Sequence, residues 1–414
     1  MKRRALLGLL AGGFAFTHAS GAATAAIEFT KLRLDHFFYA EGAAMADIDR
    51  DGHVDVVAGP RWFAGPEFKR STVYRSPHAF DRLSYSNNFL TFTADFNRDD
   101  WPDILVIGWP GKEAHWFENP GAPPKPAPLT PSGAQAKPPE WRQHLAYAIV
   151  DSESPGFGDI TGDGRPEIVA ASAGRLGWME PNWEKPYAPW SFHPISPPGR
   201  WFRYTHGIGF GDINGDGRAD FLEAAGWWEQ PADRAGDPIW KFNAQAFGRG
   251  GAQMYAYDVN GDGRADVVTS LWAHGYGISW FEQVTNNAGA MSWREHPITS
   301  ARPTEKLNGV QFSQPHALML ADLDGDGLRD VIVGKRHWAH GPDTDPEANS
   351  PAVLYWFRLK RGVDGAVTFM PHLIDDDSGV GTQFPVGDLN GDGRTDVAIA
   401  NKKGVFVFLQ EPAP

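Results

Sequence analysis

The sequence predicts an all-β protein assembled from seven copies of one unit. An acidic nine-residue motif recurs seven times, with first acids at positions 47, 95, 159, 212, 258, 322 and 388, and so 46 to 66 residues apart. A β-branched run such as V-D-V-V-A or D-I-L-V-I follows the motif. This spacing suits one four-stranded antiparallel blade per copy. We therefore predict a seven-bladed β-propeller over residues 26–414, with the motif between the first two strands of each blade.

The acidic motif itself indicates calcium. One copy reads D-I-N-G-D-G-R-A-D from Asp212, and oxygen side chains at loop positions 1, 3, 5 and 9 are typical of calcium loops. The second copy has Asp100 where glycine is expected, and the third has Thr161 and Glu167, so these two loops are expected to bind weakly or stay empty. The predicted calcium ligands are Asp47, Asp49, Asp51, Asp55, Asp95, Asn97, Asp99, Asp103, Asp159, Thr161, Asp163, Glu167, Asp212, Asn214, Asp216, Asp220, Asp258, Asn260, Asp262, Asp266, Asp322, Asp324, Asp326, Asp330, Asp388, Asn390, Asp392 and Asp396.

The remaining strands follow from the same repeat. Tryptophan recurs on a third strand and W-x-x-H on a fourth, with histidines such as His144, His193 and His296. A residue that repeats in every blade serves the blade, so we interpret these histidines as structural. The last blade lacks a fourth strand before the chain ends, and residues 29–38 have the pattern of that strand. We predict that the N-terminal strand closes the ring and leaves no open sheet edge.

The composition and the N-terminal segment indicate where the protein is located and which partners can be excluded. The formal net charge of −13 argues against a nucleic-acid partner. There is no cysteine, which excludes disulfides and thiolate metal sites. Residues 1–25 combine a basic start, a short apolar run and an A-x-A cleavage site, as in a secretory signal peptide. We expect a secreted or periplasmic protein with no membrane span, since no later apolar run is long enough.

The repeats resemble those of the FG-GAP/VCBS class, found in integrin alpha-subunit propellers and many secreted bacterial proteins. A narrower resemblance is carried by H-G-I-G-F-G-D-I-N-G-D-G from His206, P-H-A-L-M-L-A-D-L-D-G-D-G from Pro315 and G-V-G-T-Q-F-P-V-G-D from Gly379. These stretches are similar to the propeller domain of the aldos-2-ulose dehydratase family. That resemblance implies metal-assisted elimination of water from oxidised sugars such as anhydrofructose and glucosone. The fungal family members also carry cupin domains; none is predicted within this sequence, so any second activity that those domains host is not expected here.

The residues that break the repeat gather on one predicted face. Because the acidic loop joins the first strand to the second, the start of the first strand and the end of the second lie at the opposite face. The candidate catalytic residues there are Glu153, His206, His274, His316, Lys335, Arg336 and His337. The candidate substrate-binding residues are Arg61, Trp109, Trp227, Trp272, Gln383 and Lys402.

These residue types suggest a metal-assisted elimination. His206, His316 and a nearby carboxylate, Glu41 or Glu153, would suit a zinc-like ion with an open position, which would polarise a carbonyl. His274 or His337 would remove the adjacent proton, and Lys335, Arg336 and Lys402 would stabilise negative charge. His316 as the base is an equally consistent assignment.

Three functions fit this sequence. The first is a carbon–oxygen lyase, a dehydratase acting on a keto-sugar. The second is a non-catalytic propeller that binds glycans or proteins. The third is a polysaccharide β-eliminating lyase, in which Lys335, Arg336, Lys402 and Lys403 would neutralise a uronate. Fold alone does not separate them. Convergence of His206 and His316 within metal-bridging distance favours an enzyme, whereas rings that point apart into blade cores favour a binding protein.

Overall fold

The computed structural model describes residues 27–122, 127–128, 140–363 and 365–412. The predicted signal peptide, residues 1–25, lies outside this part of the chain. Every regular element in the described residues is a β-strand, and among them no helix is long and apolar enough to cross a membrane. The predicted all-β class is therefore confirmed.

The strands follow one another with short connections. The first fourteen are β1 (Phe29–Asp35), β2 (Ala43–Ala46), β3 (Asp55–Ala58), β4 (Arg61–Ala64), β5 (Arg70–Val73), β6 (Leu90–Ala94), β7 (Asp103–Ile107), β8 (Lys112–Glu118), β9 (Ala127–Pro128), β10 (Arg142–Gly158), β11 (Glu167–Ser172), β12 (Arg175–Glu180), β13 (Ser191–Pro194) and β14 (Ile208–Gly211). The others are β15 (Asp220–Glu223), β16 (Gly226–Glu229), β17 (Lys241–Ala244), β18 (Met254–Tyr257), β19 (Asp266–Ser270), β20 (Ile278–Thr285), β21 (Met291–Thr299), β22 (Pro315–Ala321), β23 (Asp330–Lys335), β24 (Leu354–Arg361), β25 (Val367–Asp375), β26 (Val386–Gly387), β27 (Asp396–Asn401) and β28 (Gly404–Gln410).

Antiparallel pairing joins consecutive strands into four-stranded units. The sheet β22-β23-β24-β25 is the clearest example, and β2-β3-β4-β5 repeats the order. The long strand β10 serves two units, because its first half pairs with β8 and its second half with β11. These curled four-stranded units fit a β-propeller.

The first and last parts of the chain meet. Strand β1 pairs antiparallel with β28, from Phe29 opposite Gln410 to Asp35 opposite Val405, which is the predicted role of the N-terminal strand. A backbone bridge also joins Gly42 to Gln383. The last unit thus takes its outer strand from the N-terminus, and β28 is covered rather than left as an open edge.

The acidic loops are held by their own carboxylates. Asp212 accepts backbone N–H groups from Gly215 at 2.7 Å and Gly217 at 2.8 Å, and Gly217 has a φ of 82°, which favours glycine. Asp220 accepts the backbone N–H of Ile213 at 3.0 Å and that of Gln230 at 2.9 Å, which joins the loop to the third strand of the unit. Burial raises the pKa of the Asp220 carboxyl to about 6. The motif therefore builds the turn, whether or not an ion is bound.

Recurrent outer-strand histidines pack against tryptophan, which fits the structural role predicted for them. The ring of His144 stacks on Trp116 at 4.3 Å between centroids, and His296 stacks on Trp280 at 4.2 Å. The Nε2 atom of His144 also lies 2.8 Å from a carboxylate oxygen of Glu118. A stack that returns from unit to unit accounts for these histidines as packing residues.

Candidate metal centre and active site

Five side chains from four units meet at the face opposite the acidic loops. Glu153 lies in β10, His206 precedes β14, His274 follows β19, His316 lies in β22 and Arg336 follows β23. These are starts of first strands and ends of second strands, so the connectivity of each unit carries them to one end of the sheets. Residues far apart in the chain are thereby brought into contact, as with Glu153 and His316, whose side chains lie 3.4 Å apart.

The three imidazoles and the carboxylate converge on a common point. His206 Nε2 lies 3.3 Å from His316 Nε2 and 3.1 Å from His274 Nε2. The Oε2 atom of Glu153 is 3.5 Å from His206 Nε2 and 3.4 Å from His316 Nε2. One ligand atom from each of the four residues lies within 4.8 Å of all the others.

The hydrogen bonds around these rings define which nitrogen carries a lone pair. His206 Nδ1 lies 2.8 Å from the carbonyl oxygen of Tyr204 and must donate to it, which leaves Nε2 as an acceptor. Arg336 Nη1 donates to His316 Nε2 at 2.9 Å, so that nitrogen is also unprotonated. The two unprotonated nitrogens therefore lie 3.3 Å apart with no proton between them, beside the carboxylate of Glu153. A cation bound there would remove the repulsion between the two nitrogens and would replace the hydrogen bond from Arg336 to His316.

The spacing fits a first-row divalent ion. Ligand atoms about 2.0–2.1 Å from a tetrahedral zinc ion lie about 3.3–3.4 Å apart. Four of the six separations between these atoms, 3.1 to 3.5 Å, match those edges. Imidazole nitrogens with one carboxylate oxygen are a donor set for zinc, manganese or iron rather than calcium. His206, His274, His316 and Glu153 could therefore hold such an ion.

The electrostatics of the cluster suit ligation, which requires neutral imidazole and ionised carboxylate. Burial, followed by the neighbouring histidines, lowers the pKa of His274 to about 2. Burial, followed by the charge of Arg336, lowers the pKa of His316 to about 3. Burial alone would raise the pKa of Glu153, but the adjacent His206 and His316 side chains hold it well below its usual range.

Glu41 has a different place from the one predicted. Its carboxylate binds the Nη2 atom of Arg336, and both side chains are almost fully buried, at 1% and 2% exposure. Arg336 Nη1 also lies 3.4 Å from Glu153. Of the two carboxylates that the sequence offered, Glu153 is therefore the one placed with His206 and His316, and Glu41, named as the third member of the zinc-like site, is paired with Arg336 instead. His274, predicted as a base, is placed among the ligands.

A hydrogen-bonded pair of His340 and Asp345 lies beside the candidate ligands. His340 Nδ1 is 3.1 Å from the Oδ1 atom of Asp345, and the carboxylate of Asp345 also accepts the backbone N–H of His340 at 3.0 Å. The ring centroids of His340 and His274 are 4.6 Å apart. Asp345 thus fixes the ring, and His340 Nε2 has no hydrogen bond within the part of the chain that the structure describes. Both residues belong to the polar insertion at 338–350, where the repeat offers no register for a sequence-based assignment.

A cavity of about 430 Å³ opens onto this cluster. Three of the four candidate ligands line it, so a small molecule can reach the centre. The complete lining consists of Tyr85, Trp109, Glu153, Tyr204, His206, His274, Arg336, Ala339 and His340. Trp109, predicted to bind substrate, is thus at the cavity wall, where its ring lies 4.1 Å from that of Tyr85.

Two predicted basic groups are engaged in packing. Lys335 is fully buried, and its Nζ donates to Ser313 Oγ at 2.7 Å and to the carbonyl of Glu347 at 2.6 Å. It therefore anchors the 338–350 insertion instead of stabilising substrate charge. Lys402 is buried with its Nζ 4.7 Å above the ring of Tyr85, and burial lowers its pKa to about 8. Lys402 thus packs against Tyr85, a residue of the cavity wall, and does not itself line the cavity.

Other predicted site residues lie away from the cavity. Trp227 is only 4% exposed within an apolar core, and Gln383 accepts the backbone N–H of Thr91. Arg61 lies beneath Tyr39, with its Nη1 3.4 Å from Ser71. These three predictions of substrate binding do not fit the structure, because the repeat pattern shows strand position and not which side chain faces inward.

His337 and Trp272, also predicted as site residues, do not line the cavity. The ring of His337 stacks on Trp338 at 4.3 Å, and burial, followed by the charge of Lys403, lowers its pKa to about 4. His337 is not part of the cavity wall. Trp272 is 40% exposed beside the cluster, and Arg249 lies over its ring at 5.2 Å.

Three acidic loops also offer grouped carboxylates. The groups are Asp47, Asp49 and Asp55; Asp159, Asp163 and Glu167; and Asp322, Asp324 and Asp330. Asp49 Oδ1 is buried without a hydrogen-bond partner among the described residues, as a cation ligand would be. In the third group Arg358 binds Asp324 directly, in competition with any ion. The second group lies in the loop that the sequence predicts to be weak.

Comparison with known proteins supports the repeat type. A family model described as an FG-GAP-like repeat matches residues 154–222 and 322–399, which contain four of the seven acidic motifs. No curated protein matches the sequence. The chain thus carries FG-GAP-like repeats, and these fit a β-propeller.

Solved structures with similar folds are distant in sequence. The Vibrio cholerae biofilm matrix protein Bap1 is 19% identical, with a TM-score of 0.31, over 65% of this chain; the match spans only 37% of Bap1. An Agrocybe aegerita lectin that recognises non-reducing terminal N-acetylglucosamine is 16% identical, with a TM-score of 0.43, over 92% of this chain and 87% of the lectin. The rhamnogalacturonan lyase YesW is 12% identical, with a TM-score of 0.44, over 93% of this chain and 73% of the lyase.

Proposed function

We propose that this protein is a secreted, seven-bladed propeller enzyme, a metal-dependent carbon–oxygen lyase that removes water from a keto-sugar. The observation that carries the proposal is the convergence of His206, His274, His316 and Glu153 at the floor of an open cavity. A protein that only binds glycans has no need for four electron-pair donors aimed at one point. The sequence resemblance to aldos-2-ulose dehydratases supports the choice of reaction.

The chemistry would be divided between the ion and two side chains. When bound, a divalent ion supplies a Lewis acid that polarises the sugar carbonyl. His340, oriented by Asp345, takes the proton from the carbon next to the carbonyl. The electron pair of that C–H bond forms the C=C bond as the neighbouring C–OH bond breaks. The proton then passes from His340 to the departing hydroxide, and water leaves without any oxidant or reductant.

Arg336 holds the ligands rather than reacting. Its guanidinium is bonded to Glu41 and donates to His316, and it lies 3.4 Å from Glu153. Burial would lower the pKa of Arg336, but the charge of Glu41 raises it, so the guanidinium stays charged. Its positive charge also favours negative charge that develops on a substrate oxygen in the cavity.

Replacing His340 with glutamine tests the proposal directly. Purified protein is incubated with anhydrofructose or glucosone, and the conjugated product of elimination is followed by ultraviolet absorbance. Wild type is expected to turn over one of them, and H340Q should lower kcat by about 10²–10⁴-fold, because general base catalysis is lost. The metal content and KM of H340Q should remain those of wild type.

The substitution H337Q provides the comparison, since the sequence offered His337 as one of its candidate bases. Loss of activity in H337Q with a fully active H340Q would show that the base is misassigned. A wild-type protein that binds sugars with its metal in place, yet eliminates nothing from either keto-sugar, would favour the glycan-binding alternative.

We also propose that some acidic loops bind calcium and stabilise the exported protein. Chelation by EGTA should lower the melting temperature, since each occupied loop contributes about 1 to 3 kcal/mol when free calcium is about tenfold to hundredfold above Kd. The variant D49N should lose part of this response, because Asp49 supplies an unpartnered buried oxygen. D376N, an exposed acid outside the loops, is the matched control. An identical melting temperature with and without calcium would contradict the proposal.

A further inference from the structure

A second cavity adjoins the metal centre. It has a volume of about 330 Å³ and shares Tyr204 and His206 with the first cavity. His206 therefore contributes its ring to the metal cluster and lines both cavities. The remaining wall consists of Arg200, Trp201, Phe202, Thr205, Glu223, Ala224 and Arg249. A ligand that reacts in the first cavity can extend into the second past Tyr204.

Exposed aromatic rings surround this second cavity. Phe202 is 61% exposed, Tyr204 is 54% exposed and Trp272, which lies under Arg249, is 40% exposed. Most large aromatic side chains in this protein are buried, so three exposed rings on one small area require an explanation. Contiguous exposed apolar surface of this kind marks ligand-binding grooves. Flat aromatic faces pack against the apolar C–H faces of sugar rings.

The second cavity is lined by positively charged side chains, although the protein as a whole has a negative net charge. The whole chain has a formal charge of −13, yet Arg200 and Arg249 line this cavity and Arg203 lies over the ring of Tyr204 in its wall. Arg200 is neutralised by the buried carboxylate of Glu223 at 3.0 Å. Arg249 has no salt bridge to any carboxylate within the described residues, and its guanidinium lies 5.2 Å from the centre of the Trp272 ring. An exposed guanidinium without a carboxylate partner suits a bidentate contact to an anionic group.

We propose that the second cavity is a subsite for an anionic sugar unit, one that bears a carboxylate or a sulfate ester, joined to the unit that reacts at the metal centre. Arg249 binds the anionic group, and Tyr204 and Trp272 pack against the sugar rings. This inference rests on the proposed function, and it narrows the substrate from a free keto-sugar to the end of an acidic oligosaccharide.

Binding of three trisaccharides tests the subsite. Trigalacturonate, a sulfated galactotriose and neutral galactotriose are titrated calorimetrically into wild type, R249A and R302A. At least one of the two acidic trisaccharides should bind wild type at least tenfold more tightly than the neutral one, and R249A should remove that preference. R302A is the matched control, because Arg302 is a largely exposed arginine outside the cavity. Whether the carboxylate or the sulfate binds more tightly identifies the anionic group.

Three outcomes would overturn the subsite. These are equal binding of acidic and neutral trisaccharides, an acidic preference that R249A retains, and equally tight, Arg249-dependent binding of polyglutamate, which carries carboxylates without sugar rings. Metal content and keto-sugar turnover of wild type are measured in parallel. A protein that lacks turnover but keeps the Arg249-dependent preference would refute the dehydratase and not the subsite, and the reverse result would refute the subsite alone.

Discussion

Alanine at His206 or His316 is expected to empty the metal centre and abolish elimination, while calcium binding by the acidic loops persists. Each change removes one of four donors whose ligand atoms all lie within 4.8 Å of one another. Lewis-acid polarisation is worth several kcal/mol, and a loss of about 4 kcal/mol lowers the rate about a thousandfold. Elemental analysis of purified protein should fall from about one transition-metal ion per chain to background in both variants.

His193 provides the matched control for these two variants. It is a recurrent outer-strand histidine that stacks on Trp178 at 5.1 Å between ring centroids and contacts Asp237. It is not one of the candidate metal ligands. H193A should keep the transition metal and the activity. Calcium as the sole metal in wild type, or full metal content in both H206A and H316A, would mean that the histidines do not form a metal site, and the proposed enzyme would then lose its main support.

The fold could be predicted because the sequence pattern of one blade is repeated along the chain. The acidic motif, the strand that follows it and the Trp–His stack recur, so that errors at one copy are corrected by the others. The missing outer strand of the last unit even revealed the role of residues 29–35, which pair with β28. The sequence was less informative about which acidic loops are free to bind an ion. The ion pair between Arg358 and Asp324, for example, cannot be read from the spacing of the motifs.

The candidate site could be predicted in part, for a geometric reason. Connectivity alone places first-strand starts and second-strand ends at one face, which brings His206, His316 and Glu153 into the same region. It does not give the direction of a side chain, so buried Trp227 was wrongly assigned to substrate. His340 was missed because its partner Asp345 lies in an insertion, and only the folded loop brings the pair to the cavity.

Replacing Arg336 with alanine is expected to destabilise the protein by about 3–5 kcal/mol, the usual effect of breaking a buried ion pair. Arg336 binds Glu41 from the first unit and lies 3.4 Å from Glu153, and its side chain is only 2% exposed. The variant leaves both carboxylates buried without their cation, and His316 loses the donor that fixes its lone pair. The midpoint of urea unfolding should fall accordingly.

Two further variants separate this effect from a general sensitivity to arginine loss. R294A removes an arginine that pairs with Glu282 at 3.0 Å and is 63% exposed, and it should cost about 1 kcal/mol or less. The double variant R336M/E41L replaces the buried pair with apolar side chains and should recover much of the stability lost in R336A, because no charge is then left unpaired against Glu41. If R336A and R294A unfold at the same urea concentration, Arg336 does not join these units, and the arrangement of Glu153 and His316 must be maintained by strand packing alone.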